Sequence, residues 1–509
     1  MRQAHAVSDV RSAEHTLMEA VPDGALMQRA AAGLAAICAK LLGRVYGARI
    51  VVLAGTGANG GDALYAAARL ARRGASITVI QTGSQLYESA WTALRKAGGR
   101  LAIDTGQSAA KALAEADLVI DGILGIGGRG GLREPAATLA GLTDRARAAG
   151  AIVVATDLPS GVDADTGVVS GAAIGADVTV TFGTLKPGLL IDPGASYAGT
   201  VELVDIGLEP TLAAAPVASA LQAPDLAALL PTPGAESDKY RRGVLGVLAG
   251  SDKYTGAAVL SVGGAIRGGA GMVRLVCAKS AADVVRQHWP EAVITHLDPD
   301  RPAASIEAAG RVQAWVAGPG LGTGDEAEAV LEAVLGTDLP VLIDADGLTV
   351  LARNRELLSR SGGGASGAAA RAARTLLTPH AGELARLLSA DGAEIEAHRL
   401  DYARSAAAEL GVTVLLKGST TVVATPGADD PVYVNPTGTP WLATAGSGDV
   451  LTGLAGALLA QGVHPAQSAG AAAAFLHGLA GRLAASDGPI GAADLLTTIP
   501  AAIRLVRDA

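Results

Sequence analysis

Short runs of β-branched and aliphatic residues alternate along this chain with longer alanine-rich segments whose apolar positions recur at helical spacing. In the first part, Arg49–Ala54, Ser76–Gln81, Leu118–Asp121, Ile152–Asp157 and Val178–Phe182 read as strands, and Ala25–Leu42, Asp62–Arg73 and Ser89–Ala97 as helices. Gly74 and Gly98 stand just past the last two helices, where a left-handed residue closes a helix. Strands that are apolar throughout, with helices between them, are buried on both faces, which predicts a parallel, doubly wound sheet. Glu209–Pro224 (EPTLAAAPVASALQAP) interrupts the pattern with two further prolines and no charge after Glu209, and reads as a linker. The alternation then restarts with strands at Val244–Ala249, Met272–Val276, Ala314–Gly318, Val341–Asp344, Thr375–Thr378, Val412–Lys417 and Thr421–Thr425. The expectation is two α/β domains, residues 1–215 and 225–509, with the low-complexity stretch Ser361–Ala373 as a mobile surface excursion.

Composition narrows the function classes. At roughly 150 residues per domain, a chain of 509 residues has room for two to three domains. Half of the residues are hydrophobic and the mean hydropathy is +0.35, so disorder is excluded. With 67 glycines and 3% aromatics, the interior is built from Ala, Gly and Val. The net charge is −9 and the basic residues are scattered, which argues against nucleic acid as a partner. Cys38 and Cys277 make neither a disulfide framework nor a zinc site and suit a reducing, cytoplasmic setting. The N-terminus carries Asp9, Arg11 and Glu14 rather than the apolar core of a signal peptide. The apolar stretches Val450–Ala460 and Ala471–Ala485 fall short of the roughly 20 clean residues of a membrane span.

Chemistry concentrates after the strands. Gly55-Thr56-Gly57-Ala58-Asn59-Gly60-Gly61-Asp62 links a strand to a helix, where backbone N–H groups and the helix dipole favour a phosphate. It satisfies GxGxxG. However, Asn59 and Asp62 place oxygens in the loop, and the next strand ends in Gln81, without the acidic residue of an NAD-dependent dehydrogenase. Asp121 precedes a second glycine loop, Gly125–Gly131 (GIGGRGG), and Asp157-Leu158-Pro159-Ser160-Gly161-Val162-Asp163 follows another strand. Singly, Asp121 and Asp163 read as caps or turn formers; together, carboxylates and glycine turns at one sheet edge mark a ligand crevice.

A second constellation lies towards the C-terminus. Ala445-Gly446-Ser447-Gly448 precedes Asp449 and an apolar helix, so successive amides form an anion nest beside a carboxylate. Such a carboxylate takes a proton from an attacking hydroxyl while the nest holds the developing charge. Lys417 and the amides of Gly418, Ser419, Thr420 and Thr421 suit nucleotide phosphate, and Glu383 in Thr378-Pro379-His380-Ala381-Gly382-Glu383 suits magnesium held through water. His380 alone reads as a core histidine. No GxxxxGK(S/T) occurs, which excludes a P-loop NTPase.

Over residues 9–208 the motifs Leu26–Ala30 (LMQRA), GTGANGGD, DGILGIGGRG, TDLPSGVDADTG and Phe182–Gly188 (FGTLKPG) resemble the epimerase domain of the NAD(P)H-hydrate repair enzymes. The resemblance implies a Rossmann-like fold, with Ala58–Asp62 and Gly125, Ile126, Gly127, Gly128, Arg129, Gly130 and Gly131 holding the substrate's phosphates and ribose. It implies Asp157 near the hydrated nicotinamide, and Asn59, Asp121 and Ser160 as ligands of a potassium ion; Lys186 is a general acid or a capping charge. Ala58 replaces the family's usual second Asn, and Ala63 its usual Gly. From about Leu226 onward, GSDKYTGAA, GPGLG, DADGL, LTPHAGE, LKGST and ATAGSGDVLTG resemble the ribokinase-like superfamily and, within it, the ADP- or ATP-dependent NAD(P)H-hydrate dehydratases. That implies contacts of Ala257, Gly322, His380 and Asp449 with the hydrated dinucleotide, contacts of Lys417–Thr421 and Gly448 with the nucleotide, and Asp449 as base. The implied enzyme interconverts R and S hydrates of NADH and NADPH and dehydrates the S form with ADP, as a soluble homo-oligomer. Two alternatives remain at this point: a vitamin or sugar kinase with a nucleotide-sensing first domain, and a first domain that only binds a partner or metabolite.

Overall fold

The computed structural model, which describes residues 1–102, 104–360, 367–427 and 430–509, divides into two units. Gln3–Ala218 form one, and Ser219–Ala509 with Met1–Arg2 form the other. In the first, seven strands form a parallel sheet in the order Arg100–Leu101, Ser76–Gln81, Arg49–Ala54, Leu118–Gly122, Ile152–Thr156, Val178–Phe182, Thr200–Val204. The chain starts at Arg49–Ala54, winds outward on one side and then returns to the other. The strand order therefore reverses between Arg49–Ala54 and Leu118–Gly122, and a crevice opens beyond their carboxyl ends.

Alternation along Arg49–Ala54 sorts its side chains between two cores: Ile50 and Val52 face one layer, Val51 and Leu53 the other. The first layer takes Leu34 and Cys38 of the helix Ala25–Leu42 and Leu64 of the helix Ala58–Ala71. The second takes Leu113 of Gln107–Ala114 and Leu139 of Ala136–Ala148. Each such buried aliphatic side chain contributes about 1.5–3 kcal/mol. Ala25–Leu42 is long and apolar enough to cross a membrane, a feature the apolar-stretch reading passed over; here Ala30, Ala31, Leu34, Ala35 and Cys38 are buried in the core. A helix that the strand-and-helix pattern missed, Val7–Ala20, packs Val10, Ala13 and Leu17 into the first layer, and its first amide, Val7 N–H, donates to Asp165 Oδ1 at 2.7 Å.

In the second unit, the parallel strands run in the order Thr413–Leu416, Thr375–Leu377, Val341–Ile343, Ala314–Ala317, Val244–Leu248, Met272–Cys277, Val293–His296. Thr421–Ala424 and Val432–Asn435 continue the sheet in antiparallel sense. The short link from Leu416 to Thr421 dictates this, because a parallel return needs a crossover of a dozen or more residues.

Two expectations change. Glu209–Pro224 is not wholly a linker: it contains the turn Glu209–Thr211, the buried strand Ala218–Ala220 and the start of the helix Ala223–Leu229. Of Ser361–Ala373, residues 367–373 belong to the helix Gly367–Arg374 rather than to a loop; 361–366 lie outside the described residues.

The helices Thr255–Arg267 and Ser447–Ala460 approach through glycine. A Cβ on Gly453 would run into the Ser261 carbonyl oxygen, and one on Gly264 into the Val450 carbonyl. Gly453→Ala adds roughly 1 kcal/mol of helix propensity, yet the overlap outweighs it, with an expected net loss of about 1–3 kcal/mol. Denaturant melts of the full chain check this; stability equal to the parent or higher would contradict it.

Candidate active sites

The first site begins where Arg49–Ala54 ends. The following helix starts at Ala58 with Gly57 as N-cap, so Asn59, Gly60 and Gly61 belong to its first turn rather than to the loop expected from the glycines, and Asp62 lies just past that turn. Its leading amides have no carbonyl within the helix to bond and face the crevice. The glycines allow close approach: a Cβ on Gly60 would strike the Gly55 carbonyl, and one on Gly55 the Ile123 carbonyl. A Cβ on Gly122 would lie 2.6 Å from that of Ala63, so the methyl at 63 fits because its neighbour has none.

Asp121 is fully buried. Its Oδ1 accepts from Ser160 Oγ at 2.6 Å and from Ile123 N–H at 3.2 Å, and its Oδ2 from Ser160 N–H at 2.8 Å. Burial pushes its carboxyl up to about 6 against those hydrogen bonds. Asn59 lies nearby: a Cβ on Gly125 would be 3.1 Å from its Oδ1. Its Nδ2 is buried without a hydrogen-bond partner among the described residues. Asp163, by contrast, is a turn former that accepts from Asp165 N–H, Thr166 N–H and Thr166 Oγ1.

Asp157 stands one residue beyond its strand with φ 63°, a left-handed conformation that short polar side chains tolerate and that clusters at functional sites. Its Oδ1 accepts from Lys186 Nζ at 2.6 Å and from Thr181 Oγ1 at 3.0 Å. Lys186 is 1% exposed and also donates to Thr181 Oγ1 and the Phe182 carbonyl, so it is a buried ion-pair partner of Asp157 and not a capping charge.

The helix Val7–Ala20 adds two groups that sequence reasoning used only to exclude a signal peptide. Arg11 lines a cavity of about 210 Å³ with Ile126, Gly127, Gly128 and Arg129 of the second glycine loop. Glu14, one turn on, is raised by burial, with Lys186 lowering and Asp157 raising it. The spacing of Val7, Val10, Ala13 and Leu17 was the signal available for this helix.

The second site centres on the helix Ser447–Ala460. Gly446 enters it at φ 88°, and Gly448 and Asp449 lie in its first turn, where N–H groups have no intrahelical partner. Asp344, 1% exposed, accepts from Lys417 Nζ at 2.7 Å and from Thr452 Oγ1 at 2.5 Å. Lys417 Nζ also lies 3.7 Å from Glu383 Oε2, and a Cβ on Gly448 would be 3.4 Å from it. Burial opposes the Lys417 charge, but Asp344 and Glu383 outweigh it and raise its pKa. Asp449, half-buried, is pushed up to about 7, first by burial and then by Asp344, with Lys417 pulling the other way. His477, lowered to about 4 by burial, is neutral and hydrogen-bonds the Ser447 carbonyl through Nε2 at 3.0 Å, anchoring that first turn.

The remaining predicted residues fall at the same strand ends. His380 is the N-cap of Ala381–Leu388, its Nδ1 accepting from Gly382 and Glu383 N–H, so it has a structural role while its ring stays largely exposed. Glu383 Oε2 accepts from His380 N–H at 2.8 Å. Gly322, at φ 88°, donates its N–H to Asp346 Oδ2 at 2.9 Å, and Ala257 packs against Gly320. Between Asp344 and Asp346, Ala345 takes φ 51°. Gly418 lies on the Arg399 guanidinium, Ser419 is exposed, Thr420 is buried, and Thr421 opens the antiparallel strand.

Comparison with known proteins matches both halves. The family described as NAD(P)H-hydrate dehydratase matches residues 245–502, and the family described as YjeF-related protein N-terminus matches residues 23–188. The bifunctional NAD(P)H-hydrate repair enzyme Nnr of Mycobacterium leprae is 46% identical over 514 residues, covering 100% of this chain and 99% of that protein. The protein of the same name from Mycobacterium tuberculosis is 47% identical over 474 residues, 92% of this chain and 91% of that one. The crystal structure of the ADP/ATP-dependent NAD(P)H-hydrate dehydratase from Bacillus subtilis, co-crystallized with ATP/Mg2+, is 28% identical with a TM-score of 0.47, over 56% of this chain and 97% of that one. With relatives spanning its whole length and a model matched in each half, this chain belongs to the family of bifunctional NAD(P)H-hydrate repair enzymes.

Proposed function

We propose that the chain repairs NADH and NADPH hydrated at C6 of the nicotinamide ring. The first unit interconverts the R and S hydrates, and the second dehydrates the S form using ADP. The observation that carries the reading is Asp449: a carboxyl with its pKa near 7, in the first turn of a helix whose free amides and Lys417 face the same corner. Asp449 takes the proton from the C6 hydroxyl as that oxygen attacks the terminal phosphoryl group of ADP. The P–O bond to AMP breaks, and the first-turn amides with Lys417 hold the charge on the transferring group. The ring-nitrogen lone pair then expels phosphate from C6, and loss of a proton from C5 restores the ring double bond. Hydroxide, a poor leaving group, has become phosphate.

Ala257, Gly322 and His380 meet the dinucleotide in this reading, and Lys417–Thr421 with Gly448 the nucleotide. Among the described residues no trio of His, Cys, Asp and Glu side chains stands together as a metal cage. This suits magnesium held mainly by nucleotide phosphates and water, with Glu383 reached through water. Magnesium supplies neutralisation of phosphoryl charge. In the first unit, the contacting oxygens of Asp121 and Ser160, with Asn59 Oδ1 beside Gly125, suit a potassium ion. Such an ion supplies a positive charge beside a carboxylate that is otherwise buried without a cation. Ala58–Asp62 and Gly125–Gly131 frame the substrate there, with Asp157 at the ring. A cytoplasmic, homo-oligomeric enzyme remains part of the proposal.

Three outcomes follow from these roles. Because Asp449 must be ionised to act, dehydration of the S hydrate falls about tenfold per pH unit below about 7; a flat profile from pH 5 to 8 contradicts this. Asp449→Asn lowers the rate by about 10²–10⁴ and removes that limb; near-parental turnover would take Asp449 out of the chemistry. Asp157→Ala, given mixed hydrates and ADP, restores reduced-nicotinamide absorbance only to the extent of the S form while R accumulates. Equal repair of both epimers would reject the epimerase role.

A further inference from the structure

Asp62 does not suit the anion-holding role that the glycine motif around it implies. A carboxylate aimed at phosphate repels it, and here the carboxyl is 9% exposed, with Oδ1 buried and without a hydrogen-bond partner among the described residues. It lies just past the first turn of the helix that follows Arg49–Ala54, while Asp157 stands beyond Ile152–Thr156, with Leu118–Gly122 between the two strands. Two strand spacings, roughly 10 Å, separate the strands that lead to the two residues, and the charge of Asp157 reaches the Asp62 carboxyl. Their surroundings differ: Lys186 neutralises Asp157 at 2.6 Å, and no cation pairs with Asp62 among the described residues. Burial, and then the charges of Asp157 and Glu14, raise the Asp62 carboxyl well above the usual carboxylate range. Arg11 and Lys186 are the cations facing Glu14.

We propose that Asp62 is a second catalytic residue of the epimerase, the acid that works across the nicotinamide ring from the base Asp157. This rests on the epimerase reading above. C6 of the hydrate carries a hydroxyl beside a ring nitrogen, and its C–O bond breaks as a glycosidic bond does between two carboxyls. Asp62 gives its proton to the C6 hydroxyl oxygen. The C6–O bond breaks, its electron pair leaves with the water formed, and the N1 lone pair makes the N1=C6 iminium. A solvent water adds to C6 from the other face and loses its proton to Asp157. Asp62 is then ionised and Asp157 protonated, the state from which the S hydrate returns to R. Proton return through Glu14 or solvent resets the pair.

The test gives the full chain the R hydrate of NADH without nucleotide, so that dehydration is off, and separates the epimers chromatographically. Asp62→Asn is expected to lower kcat for inversion by about 10²–10⁴ with KM nearly unchanged, the mark of a group that acts only in the transition state. The unmutated chain in H₂¹⁸O is expected to gain one ¹⁸O at C6 with each inversion, a result independent of how the variant folds. Inversion by Asp62→Asn at the parental kcat, a rise in KM alone, or inversion without label would overturn the proposal. Failure of the unmutated chain to invert R at all would instead overturn the epimerase reading.

Discussion

The ion pair between Asp344 and Lys417 sets the geometry of the second site. Asp344 lies at the end of a central strand, and the strained Ala345 turns the chain so that the next carboxylate, Asp346, points to Gly322 instead. Asp344 uses both oxygens, one on Lys417 and one on Thr452 in the helix that carries Asp449. The pair thereby ties two strands and a helix into one corner. It leaves an ammonium beside free amides, where a phosphoryl group gains most from both. Burial, and then the crowding of carboxyls, raises the Asp449 pKa towards neutrality, where a general base works best.

Both units follow one physical plan. An open sheet reverses its winding, a glycine turn admits a helix N-terminus to the crevice, and acidic side chains gather there against a lysine, Lys186 or Lys417. In each case the lysine sits closest to one carboxyl, Asp157 or Asp344, and another, Asp62 or Asp449, is left with a raised pKa. The fusion has a chemical rationale. A dehydratase selective for the S hydrate strands the R hydrate unless an isomerase accompanies it.

Much of this was legible in the residues. Arg49–Ala54, Ser76–Gln81 and Val178–Phe182 are strands with the bounds their β-branched runs suggest, and of the six ordered motifs of the second half five follow strands while the sixth opens the helix that carries Asp449. The start of the helix at Ala58 was not legible, because an Asn-Gly-Gly run carries turn propensity that the tertiary contact of Gly60 with Gly55 overrides. Asp62 therefore passed for a loop oxygen. Arg11 and Glu14 were read as charges rather than as one face of an amphipathic helix. The tie of Lys417 to Asp344 spans 73 positions, and nothing in local pattern announces it.

The most direct measurement is a crystal structure of the Asp449→Asn chain with ADP and the S hydrate of NADH. The account predicts terminal phosphoryl oxygens on the amides of Gly448 and residue 449 and close to Lys417, with the C6 hydroxyl hydrogen-bonded to the side chain at 449. Phosphates bound away from that helix N-terminus, or a C6 hydroxyl turned from residue 449, would contradict it.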